Sequence, residues 1–306
     1  MPLKIKYLLA IITFFNLFIS FSDISHAFNK DDFLKLMTTN SCQYCDLTRL
    51  DMTSKDMTAV DISRANLTDI DFAKADLYYS NIEMGCLEKA NLHGANLTGA
   101  NLSGANLTGA NLYNANLSDA NLSNANLKGA NLVGAQLYNA NLSRADLSEA
   151  NMSRAILSGA DLSRATLMKT NLNKAIIRGA NLSGAKLIHA DLTGVNLSDS
   201  KLFRTDLYYS NISGSLVHGA DMTRADLTYV NLSSADINGS NLENAILRCT
   251  DFSNSNATNV NFFKSDITKA IFSSTTIFTG SIMANGKIYY PGADLTKEIE
   301  GPIKER

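Results

Sequence analysis

Between Ala90 and Ser198 an apolar residue returns at every fifth position, and the four places between follow a fixed order. Taking the central apolar residue as i, the centres run from Leu92 to Leu192 and are all leucine except Met152 and Ile177. Position i−2 is alanine from Ala90 to Ala190, interrupted only by Thr170. Position i−1 is mostly Asn or Asp, and i+1 and i+2 are mostly Ser, Thr, Gly, Asn or Arg. A step of five turns about 500° on an α-helix, so successive leucines fall about 140° apart and form no stripe. On a flat strand, an odd step throws them onto alternate faces. Only a chain that turns a corner once per five residues brings every leucine to one axis. Alanine then fits beside the corner, and Asn, Asp, Ser, Thr and Gly supply the corner.

The tandem Ala-Asn/Asp-Leu-Ser/Thr-Gly unit resembles the pentapeptide-repeat family. That resemblance implies an all-β fold, a right-handed, four-sided (quadrilateral) β-helix with i and i−2 inside and the other three positions outside. The register runs from Leu47 to about Ile282, which is 48 units or about twelve coils. At the inter-strand spacing the solenoid would be roughly 55–60 Å long. The family's fold serves proteins of unrelated roles, so it says little about function.

Outside the repeats the chain divides further. Residues 1–27 read as an export signal: Lys4 and Lys6, an apolar run from Tyr7 to Phe21, then Ser25-His26-Ala27 before the cleavage point. Residues 28–41 lack the repeat, and Phe33, Leu34, Leu36 and Met37 suit one or two turns of amphipathic helix closing the open end as a cap. The repeat domain spans 42–284. Asn285-Gly286 between apolar-bearing runs is a hairpin signal, so residues 285–306 would supply a capping hairpin strand and a charged tail. Within the solenoid, i−2 drifts from alanine to Ser, Thr and Val beyond Val195, and the centres come to include Phe252, Phe262 and Phe272. Phenylalanine centres need room, which the small Ala257 among them can provide.

Composition narrows the chemistry. The 306 residues carry 27 basic and 29 acidic side chains, and this near-neutrality argues against a generic nucleic-acid binder or a strongly acidic nucleic-acid mimic. Cys42 and Cys45 fall on a centre and an i−2 place, both inward, and read as buried thiols or a local disulfide. They lack a second ligand pair for a metal. Cys86 and Cys249 lie eight coils apart, roughly 38 Å, too far to pair. No Ser/His/Asp, HExxH, phosphate-loop or dinucleotide pattern appears. The expectation is therefore no catalytic residue, no cofactor and no metal.

With four units per coil, residues 20 apart stack in columns. One column holds Arg144, Arg164, Arg204, Arg224 and Lys264, with Asp146, Asp206, Asp226 and Asp266 two residues onward. This reads as a ladder of exposed ion pairs in preference to an anion stripe. A second set places Met168, Ile188 and Tyr208 at i+1 and Tyr209 and Tyr229 at i+2, where small polar residues stand elsewhere. Outward aromatics fit a protein-binding patch, and they equally fit strand-to-strand stacking. Ile156, Ile176 and Leu216 replace the i−1 Asn on the opposite face. The functional expectation is an exported scaffold that binds a protein, including the option of a second copy, and engages neither nucleic acid nor, after signal cleavage, the membrane. The alternatives are a DNA-gyrase-binding mimic of duplex charge, like the quinolone-resistance members of the family, and an envelope spacer with no specific partner.

Overall fold

The computed structural model describes residues 28–289; residues 1–27, which the sequence reads as an export signal, and those beyond Tyr289 lie outside the described residues. The chain opens with helix α1, Lys30–Thr39. Asn29 starts it, its side-chain oxygen accepting from Asp31 N and Asp32 N, and Asn40 ends it in the left-handed conformation at φ 55°. At ten residues α1 is longer than the turn or two that the apolar spacing predicts, because these caps add polar turns at either end. Its Leu36 is buried and Phe28 and Phe33 pack against the solenoid core. The segment before it hydrogen-bonds the edge of the first coil, Phe28 N to Thr48 O and Asn29 N to Asp46 O.

From Ser41 onward each i−1 residue makes a parallel bridge to the residue 20 further on, beginning with Ser41–Asp61 and holding to Asp251–Ile271. Twenty residues make one coil, and each coil has four five-residue sides. We number the faces by their first centres: face 1 from Leu47, face 2 from Met52, face 3 from Met57 and face 4 from Ile62. From Leu47 to Ile267 the centres are buried, and so are the i−2 residues apart from the exposed Lys55. A shared axis thus removes nearly every leucine and alanine from water, the main favourable contribution to folding.

The backbone accounting in one unit explains the outward residues too. Around Leu92, the N–H of Asn91 donates to Ile70 O at 2.9 Å, that of Leu92 to Asn111 O at 2.7 Å and that of Gly94 to Tyr113 O at 2.9 Å. The N–H of Ala95 closes the turn onto Leu92 O at 3.0 Å. One donor remains, and Asn91 Oδ1 accepts it from His93 N at 3.3 Å. All five donors are satisfied, as they must be when so much backbone is withdrawn from water. Asn or Asp at i−1 is therefore the cap of its own corner. Its spare amide hydrogens build ladders along the shaft. Asn131 donates to Asn111 (3.1 Å), Asn111 to Asn91 (3.2 Å) and Asn91 to Asp71 (3.0 Å), so the chain of amides ends on a carboxylate. The corner residue i+2 takes a positive φ in each regular unit. At Gly99 (φ 66°) glycine is also needed for space, since the Tyr79 ring would lie 2.8 Å from an added Cβ.

The C-terminal end departs from the expected register. One extra residue enters the turn after Ile271, and the next bridges become Asn256–Ile277 and Asn261–Ile282, 21 apart. Ile277 and Ile282, expected as centres, are consequently outward and 50% and 37% exposed. Phe278 and Met283 take the axis, 2% and 1% exposed. The shift turns a Phe inward to meet the other Phe centres. Phe252 and Phe272 stack at 5.3 Å, Phe262 meets Phe252 edge-on at 5.9 Å, and Phe278 meets Phe272 at 5.1 Å. Ala257 is buried among these units. Asn285-Gly286 lies in a tight reversal: Met283 N donates to Lys287 O at 2.8 Å, Gly286 has φ 87°, and Ile282 bridges Ile288 antiparallel.

Candidate functional site

Face 1 carries the most unusual outer surface. Because side chains on one column are a coil apart, the i+2 residues His189, Tyr209 and Tyr229 form a continuous ring stack. His189 lies on Tyr209 with centroids 5.3 Å apart and planes 25° apart, and Tyr209 lies on Tyr229 at 4.6 Å and 11°. Tyr208, one place earlier, meets both edge-on, at 4.6 Å to Tyr209 and 6.0 Å to Tyr229. Tyr209 and Tyr229 remain 46% and 45% exposed, and Met168 on the neighbouring i+1 column is also exposed. Ile188 and Tyr208 are half-buried. The structure thus brings the three tyrosines into one cluster, with Met168 and Ile188 on the same face, two coils and one coil before Tyr208. The Tyr208 phenol is pushed above its ordinary pKa by the packing around it and then by Tyr209. That of Tyr229 is raised first by Cys249 and then by Tyr209. The sequence reading did not assign His189 or Cys249 to this cluster, although both stand in the same 20-residue column.

The cation column at the corner between faces 4 and 1 corrects an expectation. Among the described residues the ion pairs are Arg49–Asp69, Lys89–Glu88, Lys128–Glu149, Arg178–Asp199 and Arg248–Asp266. None involves Arg144, Arg164, Arg204, Arg224 or Lys264, so the expected ladder does not form. The reason is the corner cap. Asp146 accepts from Ser148 N at 2.9 Å, Asp206 from Tyr208 N at 3.1 Å and Asp226 from Thr228 N at 2.9 Å and Thr228 Oγ1 at 2.6 Å. Each cap fixes one carboxylate oxygen, and an exposed ion pair through the other, worth about 0–1 kcal/mol, does little to order a long cationic side chain. Asp266 caps Thr268 and pairs with Arg248, from its own face. Arg204 and Lys264 lie over the rings of their neighbours Phe203 and Phe263, at 5.1 and 4.8 Å. Arg144 and Arg164 border a shallow polar groove with Ser143, Asp161, Ser163 and Ser183.

At the other end of the shaft Cys42 and Cys45 are joined by a disulfide across the first corner, with Cα atoms 5.4 Å apart. Asp32 lies beside the two sulfurs, their ligand atoms all within 4.8 Å. The sulfurs are engaged with each other, and Asp32 Oδ2 accepts from Asp46 N at 2.9 Å, which fastens α1 to the first coil. Cys86 and Cys249 are free and partly exposed. Among the described residues no helix is long and apolar enough to cross a membrane.

This geometry defines a class: a β-helix wound from five-residue sides. The sequence pattern named Pentapeptide repeats matches residues 56 to 273 in eight copies, and the chain belongs to that family, whose fold is of the right-handed β-helix type. Among solved structures it is similar to HetL of the cyanobacterium Nostoc sp. strain PCC 7120, a pentapeptide repeat protein involved in heterocyst differentiation regulation. That match has 28% identity over 85% of this chain and 99% of HetL, with a TM-score of 0.35. It is also similar to a pentapeptide repeat protein of the Arabidopsis thaliana thylakoid lumen, at 37% identity over 33% of this chain and 71% of the other, with a TM-score of 0.33. QnrB1, a plasmid-mediated fluoroquinolone resistance protein, matches at 22% identity over 58% of this chain and 91% of its own, with a TM-score of 0.38. No curated protein matches the chain.

Proposed function

We propose that this chain is an exported, non-enzymatic scaffold of about twelve coils that binds another protein through face 1. The observation that carries the reading is the cluster of the exposed Tyr209 and Tyr229 with the half-buried Tyr208, and Met168 and Ile188 on the same face, at positions that are small and polar in most other units. Aromatic residues are enriched at protein interfaces and supply much of their energy. A stack seated on consecutive coils is held rigid, so little side-chain entropy is lost on docking. Helix α1 and the hairpin at Met283–Lys287 would close the two ends, and cleavage after Ala27 would release the mature chain. The duplex-mimic alternative is not favoured, because the cation column faces outward without neutralising partners.

The test is cross-linking of the mature protein in its own compartment, comparing wild type with Tyr209→Asn plus Tyr229→Asn. Asn is chosen because Asn244 and Asn259 occupy the same i+2 place with positive φ. Loss of a specific cross-linked species in the variant is the expected result; an unchanged cross-linking pattern would refute the interface.

A further inference from the structure

We infer that the partner surface received by face 1 is acidic, an inference that rests on face 1 being the interface. At the centre of the stack the ring faces are already occupied: Tyr209 is covered by His189 on one side and Tyr229 on the other. What Tyr209 turns outward is ring edge and phenol, and an aromatic edge carries positive partial charge while the phenol donates. On the same two coils stand Arg204 and Arg224, at the corner where face 1 begins. Neither is in an ion pair among the described residues, and the stacking of Arg204 on Phe203 leaves its N–H groups in the guanidinium plane for a carboxylate. Arg164 and Lys264 extend the column by two coils in each direction, roughly 10 Å each way.

The carboxylates that should neutralise this column do not. Asp206 and Asp226 are turned onto the backbone of Tyr208 and Thr228. Face 1 therefore presents donors and, in Arg204 and Arg224, cations without an ion-pair partner, while Asp206 and Asp226 each commit one oxygen to a backbone cap; the complementary surface is one that supplies acceptors. Carboxylates spaced along a protein strip meet all three demands, because they accept from guanidinium groups in bidentate pairs, from phenols and from ring edges. An apolar partner would leave Arg204 and Arg224 uncompensated at the rim. A polyphosphate would engage the cations without using the rings.

Two labelled peptides test this against the folded mature chain: one of alternating Glu and Phe, the other with every Glu replaced by Gln. Fluorescence anisotropy at low salt should show the Glu peptide binding at least about tenfold more tightly, the difference expected when charge-assisted bonds replace neutral ones. Arg204→Asn with Arg224→Asn should erase that preference. Arg154→Asn with Lys174→Asn, at the corner between faces 2 and 3, should leave it intact. Tyr209→Asn with Tyr229→Asn should weaken both peptides. Equal binding of the two peptides, with both lost in the tyrosine variant, would overturn the acidic partner while leaving face 1 as an interface. Equal loss of the Glu preference in the Arg154/Lys174 variant would overturn the inference as non-specific charge attraction. Inorganic polyphosphate that binds the tyrosine variant as well as wild type, and displaces the Glu peptide from it, would overturn it in favour of an anion stripe.

Discussion

The coils centred on Leu92 to Leu192 and those from Leu197 to Met283 obey the same winding rule and fill it with different chemistry. In the first region the axis is leucine and alanine with few exceptions, and the outside is mostly amide ladders. In the second, hydroxyls enter most of the i−2 places that alanine leaves, phenylalanines enter the axis, and three tyrosines meet on the outside. Most inward departures are compensated in kind. Thr170, Ser200, Thr205, Ser215, Ser240 and Thr250 each donate to the carbonyl of a centre one coil earlier. The phenylalanines pack on one another. Ser80 and Ser210 are the exceptions, their buried hydroxyls without a hydrogen-bond partner among the described residues. The outward departures are compensated only in part, since Tyr209 and Tyr229 stack and yet stay 46% and 45% exposed, and that asymmetry separates residues kept for winding from residues available for binding.

The largest test of the contrast is Phe262→Ala. If the aromatic axis is packed as tightly as the leucine axis, the loss should be about 3–5 kcal/mol, comparable to a leucine deletion such as Leu142→Ala at about 2–5 kcal/mol. Coils of a solenoid contact only their neighbours, so hydrogen exchange should accelerate in residues 242–283 and stay unchanged near Leu112. Exchange spreading evenly along the shaft would show that the two regions are not separable. Thr205→Val is the next largest. Val195 shows that valine fits an i−2 place, and Leu182 O keeps its bond from Ala185 N at 2.9 Å, so the substitution removes one buried hydrogen bond. A loss of about 0.5–1.5 kcal/mol in urea denaturation is expected. A neutral result would mean that the hydroxyls of the second region are incidental.

The winding was legible because it rests on a period, and a period survives individual substitutions. Every centre from Leu47 to Phe272 could be assigned by counting. The frame shift after Ile271 could not, since Phe-Ser-Ser-Thr-Thr scans as well in the old register as in the new. Only the packing of Phe278 against Phe262 and Phe272 selects the new one. The surface was legible by column but not by contact. Stacking the sequence in rows of 20 places Tyr209 over Tyr229, whereas it misassigns Arg224 to Asp226. Column counting records which residues are near and omits the competing claim of the backbone N–H of Thr228 on that carboxylate. Cys249 and His189 were in view on the same column and were missed for lack of a reason to join a thiol and an imidazole to tyrosines.

Ile176→Asn asks whether an outward departure costs the fold anything. Ile176 and Leu216 are 42% and 45% exposed on face 3, in the place where Asn caps the corner. Without that oxygen the N–H groups of Arg178 and His218 have lost the intramolecular acceptor their counterparts have, and water must serve instead. Restoring Asn should raise stability by up to about 1 kcal/mol, the worth of one such bond, read as a higher melting temperature. A lower melting temperature would show that the exposed isoleucine is a packing residue and would remove the argument that face 3 sacrifices stability for contact.

The smallest effect concerns the first coil, where all four i−1 places are acidic: Asp46, Asp51, Asp56 and Asp61. In the Leu92–Leu192 region the same place is mostly Asn. Asp51 is held below the ordinary carboxylate pKa by the backbone N–H of Thr53, at 2.9 Å, and then by its hydroxyl. A carboxylate whose folded pKa is depressed contributes stability above its unfolded pKa of about 4, and that contribution is lost as pH falls through the lower folded value. Asp51→Asn keeps an oxygen to cap Thr53 and removes the titration. It should therefore melt near wild type at pH 7 and lose less on transfer to pH 3. Because Asp51 is exposed, solvent screens the difference and it will be small. Hydrogen exchange confined to residues 41–61 reads it more sensitively than a global melt. If acid opens the Asn-capped coils as readily as this one, the difference in capping residue does not explain where the shaft first gives way.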